Sequence, residues 1–352
     1  MLLLLVVCGV AQGLLLAVVG VLSLLILGSG ALKGNISAQV GGLYKPGDPG
    51  RTRAFSLYNV AINVGAFAAP LACGGIGEVY GWGLGFGLAA GGMLIGLIVY
   101  LSGLKHLPPD THRRDPDKPR PAITADDVPV LWGLAGVLVA GTFFSTVYAQ
   151  EFAVFNVWVR EAVEREAFGR EVPVTWFTAL DGFFCITLTP IFLRFWRHQA
   201  ERGREPTDLG KIGWGSLMGT AGCLCLTAAS ALAQDGTPAS MIWPIACYAL
   251  MAAGFLYYWP TTLALISNAS PRALTGTMMG FAFMTQFVSG ITSGWLGRFY
   301  EPLGGVKFWL LHAGIINSGG VLLITTASLV QASSGAMAAL AMYGCGTAFT
   351  LA

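Results

Sequence analysis

Charge is scarce in this chain. Only 11% of its 352 residues are Asp, Glu, Lys or Arg, against about a quarter in soluble domains. The formal net charge is +2, and no basic stripe with interleaved aromatics occurs, so nucleic acid is not an expected partner. Histidine is nearly missing: His106, His112, His198 and His312 are the only four, and they do not cluster in sequence. The seven cysteines (Cys8, Cys73, Cys185, Cys223, Cys225, Cys247 and Cys345) are odd in number and scattered through apolar segments. The pair at 223 and 225 lacks zinc-site spacing and has no nearby His, so the cysteines read as small core residues. No phosphate-binding loop, nucleophile–base pair, haem motif or flavin motif is visible. The expectation is therefore no catalytic residue, no metal, no cofactor and no enzyme.

What is abundant is apolar. Hydrophobic residues make up 55% of the chain, mean hydropathy is +0.66, and 48 residues are glycine, about twice the usual share. Glycine is frequent in membrane helices, where it lets neighbours approach closely. The fold class expected is an all-α, polytopic membrane protein partnered by the lipid bilayer. A span needs about 20 apolar residues. Such runs fall at 1–17, 20–43, 54–75, 82–104, 128–149, 174–196, 209–233, 240–267, 273–297 and 306–330, giving about ten transmembrane helices. Residues 1–43 as one helix would be about 64 Å long, twice the hydrocarbon core, so a turn near Gly20 is expected.

Loop charge sets the orientation. Fourteen of the 20 Lys and Arg residues fall in one set of loops, five in the alternate set, and Lys33 in neither. The first set is expected on the cytoplasmic side of a multi-pass inner-membrane protein. The polar, Pro-rich stretch 105–127 reads as a cytoplasmic linker. It separates an incomplete amino-terminal bundle (1–104) from a six-helix carboxy-terminal bundle (128–330), with a tail at 331–352. Four spans before the linker and six after it are what a two-bundle transporter would show without its first two helices.

A few polar groups lie at membrane depth, where each one calls for a cavity or a partner. Lys33 sits midway along the run 20–43, with Asn35 and Ser37 beyond it. It reads as an anion site for a carboxylate-bearing substrate, or as one half of a structural ion pair. Asn63 is in the middle of the next run. Asp181 lies about seven residues into its span. Glu151 follows Gln150 close to the outer end of another, where it is either a proton carrier or an interfacial acid. In "GFLYYWP" (254–260), Tyr257 and Tyr258 line a substrate cavity if their face points inward, or pack within a helix kinked at Pro260.

Two stretches resemble a known family. "GSGALKGNISAQVGGLY" carries Gly28, Gly30, Lys33, Asn35 and Ser37 in the pattern G-x-G-x-x-K-x-N-x-S. "FSLYNVAINVGAFAAPL" carries Ile62, Asn63 and Gly65. These are similar to the fourth and fifth helices of the proton-dependent oligopeptide transporters of the major facilitator superfamily. "VYAQEFAVFNVWV", "VTWFTALDGFFCITLTPIF" and "ISNASPRALTGTMMG" echo the seventh helix, the eighth helix and the turn before the eleventh. The resemblance covers residues 1–330 as family helices three to twelve. It implies symport of di- and tripeptides with protons by alternating access. In that reading Lys33 holds the peptide carboxylate, and Asn63 bonds the peptide near its amino end. Asn35, Gln150, Asp181, Tyr257 and Tyr258 complete the expected substrate site.

The chain also departs from the family. The first-helix E-x-x-E-R-F-type motif is missing. Ala149 stands where the seventh helix has Glu, with Glu151 on the other side of Gln150. Phe255 stands where the tenth helix has Glu, Tyr58-Asn59 replaces a pair of aromatics, and Asp181 replaces Asn. The expectation is that Asp181 substitutes for the lost tenth-helix acid and that Asp181 and Glu151 carry the coupling proton. The alternatives are an uncoupled permease for other small solutes, or a non-transporting membrane fragment.

Overall fold

The computed structural model describes residues 19–28, 36, 39, 40, 43, 49–107, 124, 127–167, 169–233, 237–271 and 274–333. The expected span at 1–17 falls outside these residues, as do part of the span at 20–43 with Lys33, Asn35 and Ser37, most of the 105–127 linker and most of the 331–352 tail.

The described chain is almost wholly helical. A short helix α1 (Val19–Gly28) is followed by α2 (Pro49–Ala69), which passes through a π turn (Pro70–Gly74) into α3 (Gly75–Tyr80). Then come α4 (Trp82–Gly103), α5 (Asp127–Tyr148), α6 (Val154–Ala162), α7 (Val174–Glu201) and α8 (Asp208–Leu232). The series ends with α9 (Ile242–Ala269), α10 (Thr275–Gly297) and α11 (Tyr300–Ser333). Between α6 and α7, two-residue strands β1 (Glu166–Ala167) and β2 (Arg170–Glu171) pair antiparallel. Glu171 is ion-paired with Arg165 across the hairpin.

Among the described residues, seven helices are long and apolar enough to cross a membrane. They match seven of the ten expected spans, and α10 occupies the expected 273–297 stretch. A bilayer interior offers no water to backbone groups, so an apolar run of this length satisfies them internally as helix. The chain is a multi-pass membrane protein.

Two compact units are distinguished. One holds α1, α2 up to Val60 and α4 from Gly96; the other holds the remaining described helices. In the first, Gln39 Nε2 donates a 2.9 Å hydrogen bond to Tyr100 Oη. The second contains the buried core, built from α5 to α11.

Close packing in that core depends on small residues. A Cβ at Gly215 of α8 would lie 2.7 Å from the Gly254 carbonyl of α9, and one at Gly254 would lie 2.7 Å from the Gly215 carbonyl. Similarly, a Cβ on Gly319 of α11 would meet the Ala140 carbonyl of α5 at 2.8 Å. Lipid tails are as apolar as leucine, so helix association here rests on this close van der Waals fit. Buried aromatic rings pack within the core: Phe155 meets Tyr248 edge-on at 4.8 Å, and Phe308 meets Trp309 at 5.0 Å. α11 breaks near its start at Gly304, whose φ of 69° favours glycine.

Candidate functional site

The polar groups of the second unit gather where α5 ends. After Tyr148 the chain tightens into a 3₁₀ turn, Ala149–Phe152, and then breaks at Ala153 (φ −125°, ψ −107°) before α6 begins. A break frees backbone groups that a continuous helix would pair. Here the Glu151 carbonyl accepts from Asn156 Nδ2 at 3.3 Å and from Tyr248 Oη of α9 at 3.3 Å. Asn156 Oδ1 in turn accepts from Thr178 Oγ1 of α7 at 3.1 Å. The distortion is thus held by side chains from three helices.

Asp181, one turn beyond Thr178 on α7, accepts a 2.8 Å hydrogen bond from Tyr148 Oη. Cys185 lies one further turn along the same face, its Sγ 3.9 Å from the same carboxyl oxygen. The Tyr148 ring is stacked on Phe255 of α9, with centroids 4.7 Å apart and planes 15° from parallel. Phe255 stacks in turn on Trp259. A carboxyl group is therefore presented by α7, oriented by α5, with the orienting ring braced by α9.

Glu151 is 3% exposed, and neither side-chain oxygen has a hydrogen-bond partner among the described residues. The sequence left this acid between the outer interface and the interior; the structure buries it. Tyr248 of α9 bonds the Glu151 backbone carbonyl, and Asp181 of α7 is bonded to Tyr148, three residues before Glu151. An anion held there would lack the hydrogen bonds that ordinarily compensate for burial.

Gln150 faces the other way. Its amide Nε2 donates to the Ser293 carbonyl of α10 at 3.0 Å and lies 3.1 Å from His312 Nε2 of α11. His312 is fully buried, and its Nδ1 is 2.8 Å from the Phe308 carbonyl. A carbonyl only accepts, so Nδ1 carries the ring proton and Nε2 accepts from Gln150. The two carbonyls thereby fix both the amide orientation and the imidazole tautomer.

The remaining expected residues are placed as follows. Asn63 is half-buried on α2, and its carbonyl would lie 2.9 Å from a Cβ on Gly182 of α7. Tyr257 is buried with its ring edge-on to Phe192 and Trp196. Tyr258 is buried against Phe144, and its hydroxyl occupies the space a Cβ on Gly141 would need. Among the described residues, Asp181 and Glu151 are both tied to the end of α5, Asp181 through Tyr148 and Glu151 through its place in the 3₁₀ turn beside Gln150, and Asn63 of α2 lies against Gly182, next to Asp181. Tyr148, Phe255 and His312 were not singled out from the sequence as site residues. An aromatic two positions before Gln150 was the available signal for Tyr148.

Comparison with known proteins adds the following. The profile of the POT family matches residues 10–117 and 122–303. The peptide transporter YePEPT of Yersinia enterocolitica subsp. palearctica serotype O:3 is 26% identical over an alignment covering 78% of this chain and 66% of that protein. A di-/tripeptide transporter of Lactococcus lactis subsp. cremoris is 26% identical, covering 86% and 73%. The chain thus spans about two thirds to three quarters of the length of these relatives. Among solved structures, a peptide transporter POT in complex with sulfate superposes with a TM-score of 0.78 at 24% identity, covering 88% of this chain and 74% of that one. A POT family transporter in complex with 5-aminolevulinic acid gives a TM-score of 0.68 at 18% identity, covering 87% and 75%. At these identities the likeness speaks for the fold.

Proposed function

The chain belongs to the POT family, and on that premise we propose that it imports di- and tripeptides with protons across the inner membrane by alternating access. The observation that carries this reading is the Tyr148–Asp181 pair braced by Phe255. The tenth-helix position that holds an acid in similar transporters is apolar here, and an acid on α7 stands close to it. Asp181 takes the substrate ammonium. Lys33 takes the carboxylate, and Asn63 bonds the peptide near its amino end. Asn35, Gln150, Tyr257 and Tyr258 complete the surroundings. The relatives named as peptide transporters support this substrate class.

Proton coupling is assigned to Asp181 and Glu151. Both are carboxyl groups at membrane depth, Asp181 is bonded to Tyr148, three residues before Glu151, and Glu151 lacks any hydrogen-bonding partner for its carboxyl among the described residues. Charges in such surroundings interact far more strongly than in water, so binding a cationic amine at one acid changes the cost of ionising the other. That is a coupling free energy between substrate and proton. In this reading an amino-terminal bundle (1–104) and a carboxy-terminal bundle (128–330), joined by the linker 105–127, are the parts that rock.

The deciding experiment is dipeptide uptake into proteoliposomes with and without an imposed inward proton gradient. Gradient-driven accumulation is expected. Uptake that equilibrates and ignores the gradient would replace this reading with the uncoupled permease, for which the apolar Phe255 is the specific argument. Absence of any dipeptide uptake by a folded protein would remove peptide as the substrate class.

A further inference from the structure

We propose that Glu78 is a latch on the outer end of the transporter: its carboxylate caps the amino terminus of α7, and the cap must release for the outer ends of α3 and α7 to part. The inference rests on the alternating-access reading above, and it concerns a residue outside the substrate and proton sites.

The first N–H groups of a helix have no acceptor within the helix. α7 begins after Pro173, which offers no capping side chain. Glu78, 96 residues earlier, supplies what is missing. Its Oε2 accepts from the Val174 N–H at 2.9 Å, and its Oε1 accepts from the Thr175 N–H at 2.7 Å. Both oxygens are used, each on a donor that otherwise goes without, at the end of a helix whose dipole favours an anion.

The cap lies at the end of a close seam. Trp176 Nε1 donates to the Leu71 carbonyl in the π turn at 3.3 Å. A Cβ on Gly74 would lie 2.5 Å from Thr175 Cβ, and one on Gly75 would lie 2.6 Å from Trp176 Nε1. Further down, a Cβ on Gly182 would lie 2.6 Å from the Phe67 nitrogen. Thr175, Ala179 and Gly182 share one face of α7 by helical spacing. The seam is thus built for direct contact, with glycines at its crossing points and one acid closing its end. The loops beside Glu78 and Val174 are those poor in Lys and Arg, which puts this end outside.

A transporter that alternates must at some stage part its outer seam. The two hydrogen bonds are made only while that seam is closed. They weight the resting equilibrium toward the outward-closed state, and their loss shifts the population by the free energy they supplied. Glu78 therefore sets how often the protein faces out without touching substrate.

The test reads accessibility rather than transport, so it stands apart from the uptake assay. Ala179 is 1% exposed and lies on α7 between the two close crossings. An Ala179→Cys reporter is treated from outside with a membrane-impermeant maleimide, without substrate, over the background of the protein lacking that substitution. Adding Glu78→Ala should raise the labelling rate at least threefold. Glu78→Gln, which keeps one accepting oxygen, should fall in between. A control cysteine replacing Ala229, fully buried in α8, should label at an unchanged slow rate. Equal labelling of Ala179→Cys with and without Glu78, or a parallel rise at the Ala229 control, would overturn the latch.

Discussion

Asp181 on α7 accepts a short hydrogen bond from Tyr148 on α5, 2.8 Å away and 33 residues earlier, while the Tyr148 ring lies flat on Phe255. The phenol cannot swing without losing the stack, so the carboxyl is held in one orientation. A pre-oriented acceptor loses less entropy on taking a ligand than a free one. Tyr148→Phe keeps the ring and the stack and removes only the donor. A hydrogen bond of this kind contributes about 1 kcal/mol, so dipeptide uptake at low substrate concentration should fall about fivefold with expression unchanged. Saturation curves from proteoliposomes check this, the loss appearing in apparent affinity.

Glu151 offers a different separation. Glu151→Gln preserves size and hydrogen-bonding capacity but no longer exchanges a proton. If this acid carries the coupling proton, the variant should lose gradient-driven accumulation while still exchanging labelled for unlabelled dipeptide across the membrane. Counterflow and gradient-driven uptake measured on the same vesicles resolve the two. Loss of both would place Glu151 in the fold rather than in coupling.

Much of the architecture was readable because length and apolarity are local properties. Eight of the ten expected spans coincide with described helices, since any apolar run near 20 residues has one way to satisfy its backbone in lipid. The end of α5 was harder. Nothing in "AQEFA" carries the Gly or Pro that usually marks a break; the 3₁₀ turn is held locally by Asn156, and Thr178 of α7, which fixes Asn156, and Tyr248 of α9 reach it only once the helices pack. The sequence picked out Asp181 for the same reason it picked out Lys33: an ionisable group in an apolar run demands a partner. It did not name Tyr148 as that partner, because tyrosines are common near membrane interfaces and pairing across 33 residues is a tertiary fact. Glu78 was passed over because an acid at a span's end looks like ordinary interface.

The α8–α9 contact sets a stability prediction. Gly215 and Gly254 face each other so closely that a Cβ on either would approach the other's carbonyl to 2.7 Å. Backbone cannot yield as a flexible side chain can, so Gly215→Ala must force the helices apart. Overpacking of this sort costs about 1–3 kcal/mol, which should lower the thermal midpoint in detergent by several degrees. Gly213→Ala, two residues away with open space at its Cβ, should leave the midpoint unchanged or raise it slightly through better helix propensity.

The sharpest prediction concerns the exchange of one acid for another. Asp181→Asn keeps a group that can accept from Tyr148 but removes the negative charge, and dipeptide uptake should fall more than tenfold with its dependence on the proton gradient flattened. If Asp181 replaces an acid that similar transporters carry at the Phe255 position, the charge is needed in this neighbourhood more than on this helix. Phe255 and Asp181 are both in direct contact with Tyr148. An acid introduced as Phe255→Glu into the Asp181→Asn protein would therefore place a carboxylate beside the same phenol from the α9 side. Part of the lost uptake, and the gradient dependence with it, should return in the double variant. Phe255→Glu alone should do worse than either, because it puts a third carboxyl beside Asp181 and Glu151, and like charges in low dielectric repel strongly. Uptake measured for all four proteins forms a double-mutant cycle. Additive losses would mean the two positions act independently and Asp181 does some other work; recovery in the double variant is the outcome a relocated acid requires.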